Sequence, residues 1–245
     1  MDGSLDGKTI LITGAARRVG RILALACARA GADVAIHHAH SDEDAEATRR
    51  EIEKLGRRAR VFRADLVDPA QAAGLIPLIA DSMPLHGLVN SAAVFGALSL
   101  ENTDLAQWDR HLALNLTAPF LLSQAFARYA QSKSLQGGRI VNMLDWRALR
   151  PAADHFPYTI SKAALAALTK SLAVALAPDI IVNGLALGAV LPPSDGKARP
   201  DITRNIPAGR WAEEDEVGQA LVFALNGPAY ITGEIIHVDG GRHLI

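Results

Sequence analysis

The sequence predicts an α/β protein: a doubly wound parallel sheet of about seven strands with helices on both faces, in a single domain over residues 1–245. Three observations carry that expectation. Short runs rich in Val, Ile and Leu alternate with longer Ala/Leu/Arg stretches of helical period, the pattern of βαβ units. No repeat, low-complexity tract or linker-like change in composition interrupts the alternation. The chain has 245 residues, 49% hydrophobic and 21% charged, enough to bury a large core without disulfides or metals.

Taken in order, residues 8–13 read as the first strand and 19–30 as a helix closed by Gly31. A second strand over 33–38 leads into a charged amphipathic helix over 42–55, which stops at Gly56. A third strand (60–64), a helix opened by Pro69 (69–82) and a short fourth strand (87–90) follow. Helices over 105–114 and 116–130 precede a fifth strand at 139–143. A long Ala/Leu helix over 158–176 leads to a sixth strand at 180–183. Residues 188–211 are rich in Pro, Gly and charge, and so long a connection within a domain reads as a functional lid. A last helix (213–226) and a last strand (235–238) end the alternation.

Composition excludes several classes of function. With 25 basic and 26 acidic residues the net charge is −1, which argues against a nucleic acid or an anionic membrane as partner. The longest stretch without Lys, Arg, Asp or Glu, residues 82–100, carries a proline, a histidine and an asparagine and is not a membrane span. The polar, acidic start of the chain is no signal peptide. Cys27 is the only cysteine, so it forms neither an intramolecular disulfide nor a thiolate metal cluster, and a reducing, cytoplasmic setting is expected.

The first candidate site follows the first strand, in Thr13-Gly14-Ala15-Ala16-Arg17-Arg18-Val19-Gly20. Gly14 permits a tight turn and Gly20 a close approach of helix to sheet. Ala15 and Ala16 leave room for a pyrophosphate at the helix N-terminus, where amide donors and the helix dipole favour an anion. A site for NAD places Asp or Glu at the end of the second strand, for the ribose 2′-hydroxyl. Here His37-His38-Ala39-His40-Ser41 stands instead, with no carboxylate before Asp42. Arg17, Arg18, His38 and His40 form a local basic cluster suited to a 2′-phosphate, so NADP(H) is the expected cofactor. No carboxylate or thiol beside the three histidines completes a metal site, and no metal is expected.

With Tyr158-Thr159-Ile160-Ser161-Lys162 the chain resembles the short-chain dehydrogenase/reductases over essentially its whole length. The resemblance rests on the glycine turn, Asp65 after the third strand, Asn90-Ser91-Ala92-Ala93 after the fourth, Asn115, Tyr158 with Lys162, and Val238-Asp239-Gly240-Gly241. It implies a Rossmann-type fold, a homotetramer packed through the helices at 116–130 and 158–176, and a substrate lid at 188–211. It assigns Gly14, Arg17, Arg18, Val19, Gly20, His38, His40, Ser41, Asp65, Leu66, Asn90, Ser91, Ala92, Tyr158, Lys162 and Gly188 to the cofactor. Residues i and i+4 share a helix face, so Lys162 can lie beside the Tyr158 phenol. A nearby cation favours phenolate, and Tyr158 is expected to have a lowered pKa. Asn115 is expected to position Lys162.

The departures sharpen the expectation. Where the family has a serine about 13 residues before the tyrosine, this chain has Asp145. An ionised carboxylate would repel the alkoxide formed when a ketone takes up hydride, whereas a protonated or water-relaying one would assist protonation of a ring nitrogen. Desolvation against a stacked ligand would favour the protonated form. This substitution resembles the pteridine reductase branch, as do Arg18 in place of the third glycine, the histidines after the second strand, and Phe95, at the place of an aromatic that stacks the pterin. The branch implies a substrate site of Arg18, Phe95, Asp145, Tyr158 and Val190, and a catalytic set of Asp145, Tyr158, Lys162 and Asn115. Ala93 in place of a serine, His40 in place of an arginine, and Leu187-Gly188 in place of Pro-Gly depart from it. The expected substrate is therefore a pterin. The alternatives are a carbonyl compound such as a 3-oxoacyl thioester, or no substrate at all, in a catalytically silent NADP-binding regulatory protein.

Overall fold

The alternation in the sequence becomes a single sheet sandwiched between two helical layers. The computed structural model describes residues 4–192 and 202–245. Among these, the strands are β1 (Thr9–Ile12), β2 (Asp33–His38), β3 (Ala59–Arg63), β4 (Gly87–Asn90), β5 (Gly138–Asp145), β6 (Ile180–Leu187) and β7 (Ile235–Val238). They pair in parallel in the order β3-β2-β1-β4-β5-β6-β7. Every residue of β1, β2, β4 and β6 is buried, which is why their central stretches, such as residues 10–12 and 34–36, read as apolar runs.

The helices are α1 (Arg18–Arg29), α2 (Asp42–Lys54), α3 (Pro69–Ala80), α4 (Leu105–Leu112), α5 (Ala118–Ser132), α6 (Phe156–Leu176) and α7 (Glu214–Asn226). One core layer joins α1, α2 and α7 to the sheet, and the other joins α3, α5 and α6. By length and composition alone α6 could cross a bilayer. Instead it packs on β5 and β6 and buries Ser161 and Lys162, which makes it a core helix of the sandwich.

The strand order reverses between β1 and β4. Their carboxyl ends therefore diverge, and a crevice opens above them where a ligand is bound in folds of this topology.

Two elements differ from expectation in ways that shape the site. β5 and β6 run on to Asp145 and Leu187, because they pair without a break from Gly138↔Ile180 to Asp145↔Leu187. Asn183, where the expected sixth strand ended, is absorbed by hydrogen bonds: it donates to the Ile231 carbonyl (2.8 Å) and accepts from Glu234 N–H (2.9 Å). The break expected near residue 115 is a π-helical turn, Ala113–Thr117, continuous with α4 and α5. Pro119 lies just beyond it and lacks the N–H that an uninterrupted α-helix would use there.

Of the expected lid over 188–211, residues 193–201 lie outside the described residues. Its base is tied down by Ala212 N–H on the Ala189 carbonyl (2.9 Å) and Ala208 N–H on the Gly240 carbonyl (3.0 Å).

Candidate active site

The glycine turn is shaped by its backbone. Gly14 has φ +66°, and a Cβ there would stand 3.0 Å from the Ala92 Cα. A Cβ on Gly20 would lie 2.0 Å from the Gly14 carbonyl oxygen, so only glycine allows α1 to start so close to β1. The α1 N-terminus has no side-chain cap and no acidic residue in its first turn. Thr13 ties the turn to the end of β4: its hydroxyl accepts from Ser91 N–H (2.9 Å) and Ala92 N–H (3.0 Å) and donates to the Val89 carbonyl (3.3 Å).

His37 braces the same turn from β2. Its Nδ1 accepts from Gly14 N–H at 3.1 Å, so the proton sits on Nε2, which donates to the Ala64 carbonyl at 3.0 Å. Burial pushes its pKa down to about 4, so the ring is neutral at pH 7. Sequence reasoning missed this brace, because a strand-end histidine reads as solvated until the neighbouring strands are in place.

His38 corrects an expectation. It is buried rather than displayed to a phosphate, its Nδ1 accepts from Ser41 N–H at 3.3 Å, and burial lowers its pKa. The charge near the end of β2 instead comes from exposed Arg17 and Arg63, with exposed His40 and half-buried Ser41 beside them. Arg18 is also exposed, but its Nη2 donates to the Pro192 carbonyl at 2.7 Å, which carries it across the crevice toward the segment after β6. Asp65, half-buried, caps its own turn through Val67 N–H (3.0 Å), and Leu66 is buried behind it. Val19 packs against the core from α1, and Gly188 N–H bonds the Val238 carbonyl at 3.0 Å. Val190, expected to touch substrate, is buried in the core layer of α1 and α7.

The second group of residues converges from β5, α6 and the π-helical turn. The extra length of β5 delivers Asp145 to the crevice, where Tyr158 Oη donates to Asp145 Oδ2 at 3.2 Å. One helical turn on, Lys162 Nζ donates to the Met143 carbonyl at 2.7 Å and lies 5.8 Å from the Tyr158 ring centre. Asn115 is fully buried. It accepts from Val94 N–H (2.9 Å) and donates to the Val94 carbonyl (3.1 Å) and Ser161 Oγ (3.0 Å), so it joins the loop after β4 to α6. Phe95 is 57% exposed, edge-on to Tyr158 (4.7 Å) and stacked on His155 (4.1 Å).

The electrostatics reverse one expectation. Tyr158 has its pKa raised, first by burial and then by the charge and hydrogen bond of Asp145. Burial also pulls Lys162 down to about 8, and its ammonium is directed at a carbonyl rather than at the phenol. Tyr158 is thus held in its protonated form, as a proton donor.

Asp145 in turn has a cationic neighbour that the sequence reading did not single out. Oδ1 accepts from Arg147 N–H at 2.9 Å and lies 3.7 Å from Arg147 Nη1, while Arg147 Nη2 donates to Asp154 Oδ2 at 2.9 Å. The signal available in sequence was an Asp whose side chain can cap a turn two residues on, just past a strand. Among the described residues, no group of three or more His, Cys, Asp or Glu side chains could hold a metal ion.

With this geometry in place, comparison with known proteins is decisive at family level. A family model described as enoyl-(acyl carrier protein) reductase matches residues 14–243. The chain belongs to the short-chain dehydrogenase/reductase family. Relatives of this dehydrogenase/reductase have diverse substrates. It is 33% identical to a 2-dehydro-3-deoxy-D-gluconate 5-dehydrogenase of Bacillus subtilis, over 97% of this chain and 95% of the relative. The structure of FolM alternative dihydrofolate reductase 1 from Brucella canis, complexed with NADP, matches with a TM-score of 0.88 and 35% identity, over 99% of this chain and 96% of that one. A gluconate 5-dehydrogenase from Burkholderia cenocepacia, in complex with NADP and tartrate, matches with a TM-score of 0.91 and 29% identity, over 100% and 98% of the two chains. The family accounts for the fold and the class of chemistry.

Proposed function

We propose that the chain is an NADPH-dependent reductase of pterin-type rings, a dihydropterin, dihydrofolate or oxidised pterin. The cradle fits the cofactor. A glycine-shaped, uncapped α1 N-terminus offers amides to a pyrophosphate, and the end of β2 has exposed cations where an NAD site needs a carboxylate. NADP in the solved relatives supports the same assignment. Gly14 to Gly20 would hold the pyrophosphate and Arg17, His40 and Ser41 the 2′-phosphate, with Asp65 to Leu66, Asn90 to Ala92 and Gly188 lining the remainder and Lys162 on the ribose. When bound, NADPH supplies the hydride.

The observation that carries the substrate reading is the Tyr158–Asp145 hydrogen bond of 3.2 Å, at a strand end where the family resemblance leads one to expect a serine. Reduction of a ring C=N bond needs a proton on nitrogen as hydride reaches carbon. Tyr158, held protonated, gives that proton. Asp145, whose side chain is 15% exposed, passes a replacement in from solvent. Phe95 offers an exposed aromatic face beside them, on which a flat heteroaromatic ring stacks. Arg18 reaches toward the segment that continues into the lid, and Asn115 fixes the α6 register. Exposed Val174 on α6 and Phe120 on α5 support a homotetramer assembled through these helices, to be checked by light scattering.

A carbonyl reductase is the second reading, favoured by the sugar-acid dehydrogenases among the relatives. The two are separated by assaying dihydrobiopterin, dihydrofolate and a panel of ketones with NADPH, before and after Asp145→Ser. The pterin reading expects pterin turnover that falls at least tenfold in Asp145→Ser. Turnover of ketones alone, preserved or raised by Asp145→Ser, would replace it with the second reading. NADPH binding without any Tyr158-dependent turnover would leave a silent binding protein.

A further inference from the structure

We propose that Arg147 is a positioning residue for the Tyr158–Asp145 pair: it fixes the carboxylate and balances the negative charge left when Tyr158 gives up its proton. The inference rests on Tyr158 as proton donor, whichever ring or carbonyl accepts the hydride.

The geometry divides the work between the two carboxylate oxygens. Oδ1 is taken by Arg147, through the backbone N–H at 2.9 Å and Nη1 at 3.7 Å, which leaves Oδ2 for Tyr158 at 3.2 Å. Arg147 is itself immobilised. Its side chain is 14% exposed, Nη2 donates to Asp154, and its guanidinium carbon sits 4.8 Å from the centre of the Trp146 ring system. Arg242 presses on the same ring system at 4.4 Å, so the indole is itself held in place by the C-terminal turn.

Two further observations argue for a role beyond packing. Nε of Arg147 is buried without a hydrogen-bond partner, a cost of about 1–3 kcal/mol that an arrangement optimised for stability alone would avoid. Lys162, the other nearby cation, donates to the Met143 carbonyl and lies 5.8 Å from the Tyr158 ring centre. The cation that does pull the Tyr158 pKa down, against burial and Asp145, is Arg147. The remaining charged or titratable groups around the pair are Lys162 on α6, Asp154 and His155 ahead of it, and Arg242 from the C-terminal turn.

A double-mutant cycle of Arg147→Met and Asp145→Asn tests this, with kcat and its pH profile measured on whichever substrate turns over. Arg147→Met should lower kcat about 10- to 100-fold, less than the roughly 10²–10⁴ that a positioned general acid itself contributes. It should leave the KM for NADPH within about twofold and move the alkaline limb of kcat to higher pH. Arg147→Lys should restore most of the rate, and Arg147→Met should cost at least fivefold less in the Asp145→Asn background. An equal loss in both backgrounds, an unmoved alkaline limb, or a lysine variant as poor as the methionine one would overturn the proposal. Should Arg147→Met fail to fold, Arg147→Gln, which keeps a donor for Asp154, takes its place.

Tyrosinate absorbance provides a readout without turnover. The chain has three tyrosines, so Tyr158→Phe isolates the Tyr158 signal. Its titration midpoint should rise on loss of the Arg147 charge, and an unchanged midpoint counts against the role. Failure of the pterin reading would show as an inactive pterin beside an active ketone, and the cycle would then be measured on that ketone.

Discussion

The two sides of the crevice are built on different principles. On the β1–β2 side, positions are set by backbone geometry: Gly14 and Gly20 are glycine because a Cβ would collide with Ala92 or with the turn itself. On the β5–α6 side, the candidate catalytic groups are side chains that meet from different elements, Asp145 of β5 with Tyr158 of α6 and Asn115 of the π-helical turn with Ser161 of α6. The first side keeps to a general rule for binding pyrophosphate. At the end of β5 the second places Asp145, with Arg147 beside it. The two sides can therefore be perturbed separately.

If the division is real, the largest effect belongs to the catalytic side. Tyr158→Phe should lower kcat by about 10²–10⁴, the usual contribution of a positioned proton donor, with NADPH affinity within about twofold. A parallel loss of NADPH binding would show that the sides are not independent.

A second test addresses the brace at His37. Because its folded pKa is depressed to about 4, the unfolded chain binds a proton that the folded chain refuses as pH falls below about 6.5. The stability His37 contributes is complete above that pH and is lost between about 6.5 and 4, by up to roughly 3 kcal/mol. Urea unfolding across that window should show the loss in the native sequence and a flatter profile in His37→Gln. Equal slopes would remove the brace from the argument.

The smallest effect is the most specific. Arg17→Ala should weaken NADPH binding about tenfold, the scale of one exposed charge-assisted contact to phosphate, and leave NADH unchanged. Equal losses for both cofactors, measured by fluorescence titration, would move the 2′-phosphate away from Arg17.

This division also explains what could be read from the sequence. All seven strands and their parallel arrangement were legible, because buried strands and amphipathic helices have distinct periodicities. The ends of β5 and β6 were not; Asn183, for one, looks like a terminator until the Ile231 carbonyl and Glu234 N–H arrive to satisfy it. Helix spacing correctly placed Lys162 near Tyr158, yet gave the wrong sign for the tyrosine pKa. The direction of the ammonium, toward the Met143 carbonyl, depends on a strand 19 residues away. Arg147 and His155 were missed for the same reason: each acquires its role from a partner on another element. Cys27 is a small buried hydrophobe, its thiol pushed up to about 12 by burial.

The His37 ring has a practical consequence for anyone wishing to redesign the coenzyme preference. The usual graft puts an acidic residue at the tip of the second strand, and here the two residues at that tip are already in use. One holds the glycine turn to the third strand, and the other closes the entry to α2. An engineer aiming at NADH would do better to leave that pair intact and alter the side chains of Arg17, His40 and Ser41, since the strut from His38 uses only the backbone N–H of Ser41.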